Sequence, residues 1–272
     1  MYNVLSFRQG VLLQQGVNMG SKTTRQKEIV TLVNERGNIT FQELKEAFPD
    51  VSDMTLRTDL KTLDEGKQLV RIHGGARSID LVMGTEGVMT WRTVTNLDKK
   101  ELIARKARTL VFPNSTIYID SGSTTTMFAR LFPDVNSLIY TESISCAIEL
   151  QKLTRAKVFL PGGQMERSSL SLYGTRALEE LRTMNFDISF ISALNYKEGI
   201  GFTCAREYQS LIKKTIIARS EKVVLLMDSS KVGEKSVYTF CRPEDIDVLV
   251  SDGGLTPDFI GLMKEHGVTV IQ

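Results

Sequence analysis

Residues 40–63 read TFQELKEAFPDVSDMTLRTDLKTL. Thr40 followed three residues later by Glu43 is a reciprocal cap, so a helix opens here, and Leu44, Ala47 and Phe48 fall on its inward side. Pro49-Asp50-Val51 makes a turn. Ser52 caps the next helix, on which Leu56, Leu60 and Leu63 line one side. Met54, Arg57, Thr58 and Lys61 recur at i, i+3, i+4 and i+7 on the other. Upstream, Thr23 or Thr24 can cap a helix with the apolar stripe Ile29, Leu32 and Val33, which Gly37 stops. Downstream of Gly66, QLVRIHGGAR (68–77) reads as a short strand, a Gly74-Gly75 turn and a second, basic strand. A short helix, a tight turn and a helix apolar on one side only form a helix-turn-helix, and the hairpin behind it is a wing.

A recognition helix of this kind enters the major groove of double-stranded DNA, where each base pair shows a distinct pattern. Ser52 and Thr55, at its N-terminus, suit phosphate contacts because unpaired N–H groups and the helix dipole favour an anion there. Arg57, Thr58 and Lys61 point away from the leucines and are the candidate base or phosphate readers. Arg71, His73 and Arg77 on the hairpin are placed to track the backbone or the minor groove. Between Lys22 and Arg77 there are ten basic and nine acidic side chains. Any electropositive surface must therefore come from placement, not bulk charge. The competing reading is a small helical bundle for protein contacts, its polar face merely solvated, and pattern alone does not separate the two.

Residues 1–20 lack a period that leads into the next element and read as a flexible tail, with Met19 an alternative start. We assign 21–79 to the winged helix-turn-helix and 80–98, irregular and holding Gly84 and Gly87, to a linker. From 99 to 272 short β-branched runs alternate with amphipathic stretches. The strand candidates are 116–120, 137–140, 157–160, 187–193, 223–227, 247–251 and 268–271; helical stretches fall at 99–111, 143–152, 175–183, 205–220 and 256–266. That alternation predicts an α/β domain with a doubly wound, mostly parallel sheet.

Asp120-Ser121-Gly122-Ser123-Thr124-Thr125-Thr126 follows one predicted strand and precedes a helix starting near Thr125. A glycine turn feeding a helix N-terminus, surrounded by hydroxyls, is a natural phosphate cradle, although a capped Ser/Thr-rich turn is also ordinary structure. It lacks the lysine of a nucleotide-binding P-loop, which speaks against NTP hydrolysis. Lys231, in DSSK after the strand 223–227, lies at the carboxyl end of a strand, the edge where open α/β sheets bind ligands. Gly162-Gly163 and Gly199-Ile200-Gly201 end other strand regions and serve equally as turns; the latter is too incomplete for a dinucleotide fingerprint.

Composition narrows the class. The chain has 272 residues, 42% hydrophobic and 24% charged, with a formal net charge of +2, as for a soluble globular protein. No run approaches the length of a membrane span, and Arg8 interrupts the apolar start of the chain, so neither a membrane anchor nor a secretory signal is expected. Cys146, Cys204 and Cys241 are too irregularly spaced for a disulfide framework or zinc site and fit a reducing cytoplasm. With His73 and His266 as its two histidines, the chain suggests no metal, and we expect no cofactor.

Ser52-Asp-Met-Thr55-Leu-Arg57-Thr58-Asp59-Leu60-Lys-Thr-Leu63, then Gly66, Leu69, Arg71 and His73-Gly-Gly-Ala76, resembles the signature of the DeoR family, VS..T.RRDL..L...G...R.HGGA. Leu97-Asp-Lys-Lys-Glu-Leu-Ile-Ala104, DSGSTTT, PGG at 161–163, Glu207, DSSK and DIDVLVSD resemble the effector domain of the same family, so the likeness covers residues 23–272. The resemblance implies a winged helix-turn-helix joined to a domain similar to ribose 5-phosphate isomerase, used for sensing. It implies a repressor of carbohydrate-metabolism genes, released from double-stranded operator DNA by a phosphorylated sugar, and a homo-oligomer, dimer or tetramer. Asp120, Ser121, Gly122, Ser123, Thr124, Thr125 and Lys231 would then hold the phosphate, with Glu207 near the sugar and Gly163 among the effector-binding residues. There are three departures. Thr58 stands where the family usually has a second arginine, Asp50 is an extra residue in the turn, and Thr141-Glu142 replaces a common Thr-Asn pair. A carboxylate beside a phosphate is unfavourable, so either Glu142 points away or the ligand differs. The alternative function is a sugar-phosphate isomerase with an appended helical domain, using Asp120 or Glu207 as its acid–base group.

Overall fold

A computed structural model describes residues 22–66, 68–72, 74–78 and 96–272. The tail 1–20, His73 and nearly all of the linker lie outside the described residues. The chain divides into two compact units, 1–83 and 84–272.

In the first unit, α1 (Lys22–Arg36) buries Ile29, Val30 and Val33. Val30 takes the place expected for Leu32, which is half-buried. A strand not foreseen in the sequence, β1 (Asn38–Thr40), runs straight into α2 (Phe41–Ala47). The Thr40–Glu43 box is formed: Glu43 N–H donates to Thr40 Oγ1 at 3.2 Å and Thr40 N–H to Glu43 Oε2 at 2.8 Å. Leu44 is buried, whereas Ala47 faces solvent and Phe48 is half-buried, so this short helix contributes less to the core than its pattern implied. Ser52 Oγ caps α3 (Asp53–Glu65), which buries Leu56, Leu60 and Leu63. Each buried leucine contributes about 1.5–3 kcal/mol of transfer free energy.

Asp59 is buried on that same stripe, and its carboxylate accepts from Arg25 Nε at 2.6 Å and Gln26 Nε2 at 2.8 Å. This pins α1 to α3. The hairpin is β2 (Val70–Ile72) and β3 (Gly75–Arg77), and β3 also pairs with β1, giving a three-stranded sheet in the order β1-β3-β2. A side chain at Gly75 would place its Cβ 2.1 Å from the Ile39 carbonyl oxygen, so glycine is required for this approach. The unit is a winged helix-turn-helix.

The second unit is built around seven parallel strands. They are β4 (Ser115–Ile119), β5 (Ser137–Tyr140), β6 (Lys157–Phe159), β9 (Ile188–Ser192), β12 (Val223–Leu226), β14 (Val248–Val250) and β15 (Thr269–Ile271). All seven were legible as strands in the sequence, and they line up as β15-β14-β12-β9-β4-β5-β6. Helices α4 (Leu97–Ala107), α5 (Ser123–Arg130), α6 (Ile144–Leu150), α7 (Thr175–Arg182), α8 (Glu207–Ile217) and α9 (Pro257–Glu265) alternate with them. Side chains alternate between two apolar clusters: Tyr118, Ile191, Leu225 and Leu249 enter one, and Ile117, Ile119, Phe190, Leu226 and Val250 the other. Two buried faces make the sheet doubly wound.

Antiparallel pieces were not foreseen. β7 (Gln164–Glu166) pairs with β8 (Ser171–Tyr173), and β10 (Asn195–Lys197), β11 (Gly201–Cys204) and β13 (Tyr238–Cys241) form a small sheet of their own. The start of α4 is tied to the turn after β12. Asn96 Nδ2 donates to Ser230 Oγ at 3.3 Å, and Lys99 Nζ donates to Ser229 Oγ at 3.0 Å and pairs with Asp252 at 3.1 Å. Among the described residues no helix is long and apolar enough to cross a membrane, and no cluster of His, Cys, Asp and Glu could hold a metal. The cysteines are free and buried.

Candidate functional site

On α3 the side opposite the leucines is open. Met54 is 79% exposed, and Arg57, Thr58 and Lys61 are exposed with it. Arg57 lies over the Phe41 ring, 4.3 Å from its centroid, so α2 orients the guanidinium that α3 carries. Ser52 Oγ and Thr55 Oγ1 are 2.8 Å apart and cap the helix together. Thr58 Oγ1 donates to the Met54 carbonyl at 2.8 Å, and Lys61 approaches Glu65 at 3.8 Å. On the wing the register pairs Arg71 with Ala76 and Arg77 with Val70. Adjacent pairs face opposite ways, so the two arginines project from opposite faces of the hairpin. His73 lies outside the described residues.

In the α/β unit the strand order reverses between β4 and β9. β5 and β6 continue to one side, β12 and β14 to the other. Ligands of such sheets bind in the crevice at the carboxyl ends of those two strands, and that is where the DSGSTT turn sits. Residues 120–126 are buried. Helix α5 starts at Ser123, two residues earlier than its pattern suggested. Gly122 has φ +154°, and a Cβ there would lie 2.7 Å from Ser192 Oγ, so glycine alone lets the turn close onto β9.

Asp120 is held through one oxygen, Oδ2. Its carboxylate accepts from Ser192 N–H at 2.9 Å and Ser192 Oγ at 2.8 Å, and it pairs with the ammonium of Lys213 on α8. Lys213 Nζ also donates to the Ser192 carbonyl at 2.9 Å. Burial pushes the Lys213 ammonium down, but the charge and hydrogen bond of Asp120, with Cys204 and Glu142 nearby, together outweigh it, so the group is held above its ordinary value and stays charged. Glu142 does not point away from the turn. Its Oε1 accepts from Ser121 N–H at 2.9 Å, and its Oε2 meets the Tyr118 hydroxyl. Burial, reinforced by the neighbouring Asp120, raises the Glu142 carboxyl to about 7. Burial likewise raises the Cys146 thiol behind the turn to about 12, leaving it unreactive.

The hydroxyls divide into two groups. Thr125 and Thr126 donate to the Gly122 carbonyl at 2.9 and 2.7 Å and so serve the turn itself. Ser123 and Thr124 make no side-chain hydrogen bond among the described residues. Lys231 is half-buried in the turn after β12, at the same sheet edge as the cradle. Glu207 is the exposed first residue of α8, six residues before Lys213. Gly163 brings its loop against β8, where a Cβ would lie 2.6 Å from the Tyr173 carbonyl oxygen. Neither Glu207 nor Gly163 makes a hydrogen bond or ion pair with the cradle among the described residues. Lys213, Ser192, Glu142 and Tyr118 belong to it, and of these the sequence reading had noticed Glu142 alone.

A winged helix-turn-helix combined with an α/β unit that keeps a polar cradle at its switch point defines a DNA-binding transcription regulator with a sensor domain. Residues 25–82 match the DeoR-like helix-turn-helix domain and residues 95–253 the DeoR C-terminal sensor domain. The chain belongs to the DeoR family. It is 33% identical over 246 residues to the HTH-type transcriptional regulator YulB of Bacillus subtilis, covering 90% of this chain and 95% of that one. The lactose phosphotransferase system repressor of Staphylococcus epidermidis is 30% identical over 237 residues, 85% of this chain and 92% of its own. Among solved structures, ribose 5-phosphate isomerase A of Methanocaldococcus jannaschii aligns with 51% of this chain and 55% of its own at 19% identity, with a TM-score of 0.37. So distant a likeness says nothing of activity. The relatives are regulators, and this chain stands with them, not with enzymes.

Proposed function

We propose that the chain represses carbohydrate-metabolism genes and is released from its operator by a phosphorylated sugar. One observation carries the effector half of this reading. The buried DSGSTT turn at the switch point presents a helix N-terminus with the Ser123 and Thr124 hydroxyls uncommitted, a cradle suited to a phosphate. Asp120, Ser121, Gly122, Ser123, Thr124, Thr125 and Lys231 form the phosphate end, with Glu207 and Gly163 assigned to the rest of the ligand by family resemblance. The isomerase alternative needs Asp120 or Glu207 as its acid–base group; three donors already hold Asp120 Oδ2, and Glu207 makes no hydrogen bond or ion pair with the cradle among the described residues. The name of the staphylococcal relative favours a sugar-related role.

In the DNA-reading half, residues 21–79, we assign base or phosphate contacts to Ser52, Thr55, Arg57, Thr58, Lys61, Arg71, His73 and Arg77. Residues 80–98 link it to the effector domain, 99–272. Operators with two-fold symmetry need paired reading heads, so the working form is a dimer or tetramer, acting in the cytoplasm. If the sugar phosphate prefers the DNA-free protein, it weakens operator binding by the same factor that DNA weakens its own binding. A gel shift with DNA from upstream of the chain's own gene tests this, repeated with a panel of sugar phosphates and their unphosphorylated parents. Specific retardation reversed by a phosphorylated sugar alone is the expected result. Absence of specific retardation overturns the DNA reading, and retardation indifferent to the whole panel overturns the effector reading.

A further inference from the structure

We propose that Glu142 sets the charge of the head group that the cradle accepts: a dianionic phosphate binds on Ser121–Thr125 only together with a proton taken up at the Glu142 carboxyl. This rests on the reading of that turn as the phosphate site. Glu142 is 3% exposed and reaches the turn itself, accepting from Ser121 N–H at 2.9 Å. The charged and titratable groups around it come from each packed element: Tyr118 from β4, Asp120 from the turn, Lys213 from α8 and Cys146 from α6. Lys213 is already matched by Asp120. Among these buried groups an ionised Glu142 therefore leaves one negative charge in excess, directly beside the N–H groups that a phosphate would use. A protonated Glu142 leaves them neutral, so that Lys231 at the same sheet edge is set against the phosphate charge alone.

Protonation keeps both contacts of the carboxyl. Oε1 remains an acceptor for Ser121 N–H, and the single hydrogen bond to Tyr118 reverses, Oε2–H donating to the Tyr118 oxygen while the hydrogen of that hydroxyl turns away. The buried carboxyl changes state near neutrality, because burial and Asp120 both favour its neutral form. Proton and anion are then two ligands that each strengthen the binding of the other. A singly charged or uncharged head group needs no such proton, which makes Glu142 a specificity-determining residue.

Sulfate is the probe, because it stays dianionic throughout the range and cannot itself supply the titration. Its binding to the full chain and to the Glu142→Gln variant is measured by calorimetry from about pH 6 to about pH 8.5. Proton uptake is read separately in weakly buffered solution. Gln keeps an acceptor for Ser121 and a donor for Tyr118, so it imitates the protonated acid. In the wild type, affinity should fall by up to about tenfold per pH unit above the carboxyl's titration. About one proton should enter per sulfate bound near pH 8. The variant should hold its low-pH affinity throughout and take up no proton. Parallel pH curves for the two proteins, or sulfate binding near pH 8 without proton uptake, overturn the proposal while leaving the phosphate site standing. Should Gln fail to fold, the wild-type proton count decides alone. If sulfate binds neither protein at low pH, the phosphate reading itself falls and takes this proposal with it.

Discussion

The ammonium of Lys213 lies on the carboxylate of Asp120, 93 positions away in the chain, and both side chains are almost wholly buried. Removing one partner of such a pair strands the other charge in a medium that solvates it poorly. Lys213→Met should therefore cost about 3–5 kcal/mol in chemical denaturation. The double variant Lys213→Met with Asp120→Asn, which strands nothing, should recover part of that loss. A single-variant cost below about 1 kcal/mol would mean that water reaches Asp120 in solution.

Arg57 is held over Phe41 and carries no ion pair among the described residues, which leaves its guanidinium available to DNA. Arg57→Ala should weaken specific operator binding by about 1–3 kcal/mol if the side chain reads a base edge. A phosphate contact would instead give a loss uniform across sequences and a shallower salt dependence. Fold stability should change by at most about 1 kcal/mol, since exposed cation–π contacts are weak. Unchanged affinity for both operator and random DNA would show that the other side of α3 faces the groove.

Lys231→Ala and Ser123→Ala should separate sensing from DNA binding. Hydrogen bonds with a charged group are worth roughly 1.5–3 kcal/mol net, so each variant should bind the effector about ten- to a hundredfold more weakly. Operator affinity without ligand should stay within a few-fold, because neither residue belongs to the helix-turn-helix unit. Operator titrations with and without sugar phosphate measure both quantities. A normal ligand response in both variants would place the phosphate elsewhere.

Glu142 also predicts how stability varies with pH. Unfolded, the carboxyl titrates near 4.5; folded, near 7. Between those values the folded chain binds more protons than the unfolded one, so this contribution is complete below the lower value and is lost as pH rises through the upper. Glu142→Gln lacks that slope. Its stability relative to wild type should thus improve from about pH 5 to about pH 8, on the order of 3 kcal/mol at the far end. Parallel stability curves for the two proteins would count against a buried, protonated Glu142.

The parallel sheet was legible because its strands are buried on both faces: 223–226 stays apolar without a break, and 188–192 is interrupted only by the small side chains of Ser189 and Ser192. The caps at Thr40 and Ser52 were legible because each places an acceptor oxygen three residues before the N–H that donates to it. β1 was not, being three residues long and defined by its partner, not its own pattern. The antiparallel strands β10, β11 and β13 were hidden for the same reason: each is only three or four residues long, and β13 finds β11 from more than thirty positions away. Two buried charges did leave a signal. Asp59 sits at i+3 from Leu56 on the leucine stripe, and Lys213 falls between Ile212 and Ile216 on the buried side of α8. A charge inside an apolar stripe announces a buried partner, although the identity of that partner needs the fold.

Asn96 and Lys99 fasten the first helix of the sensor unit to the turn that carries Lys231. The first described residues of the sensor unit are thus anchored at the carboxyl edge of its sheet, so a displacement of the Lys231 turn is carried to Asn96 and Lys99 directly, with no strand having to move.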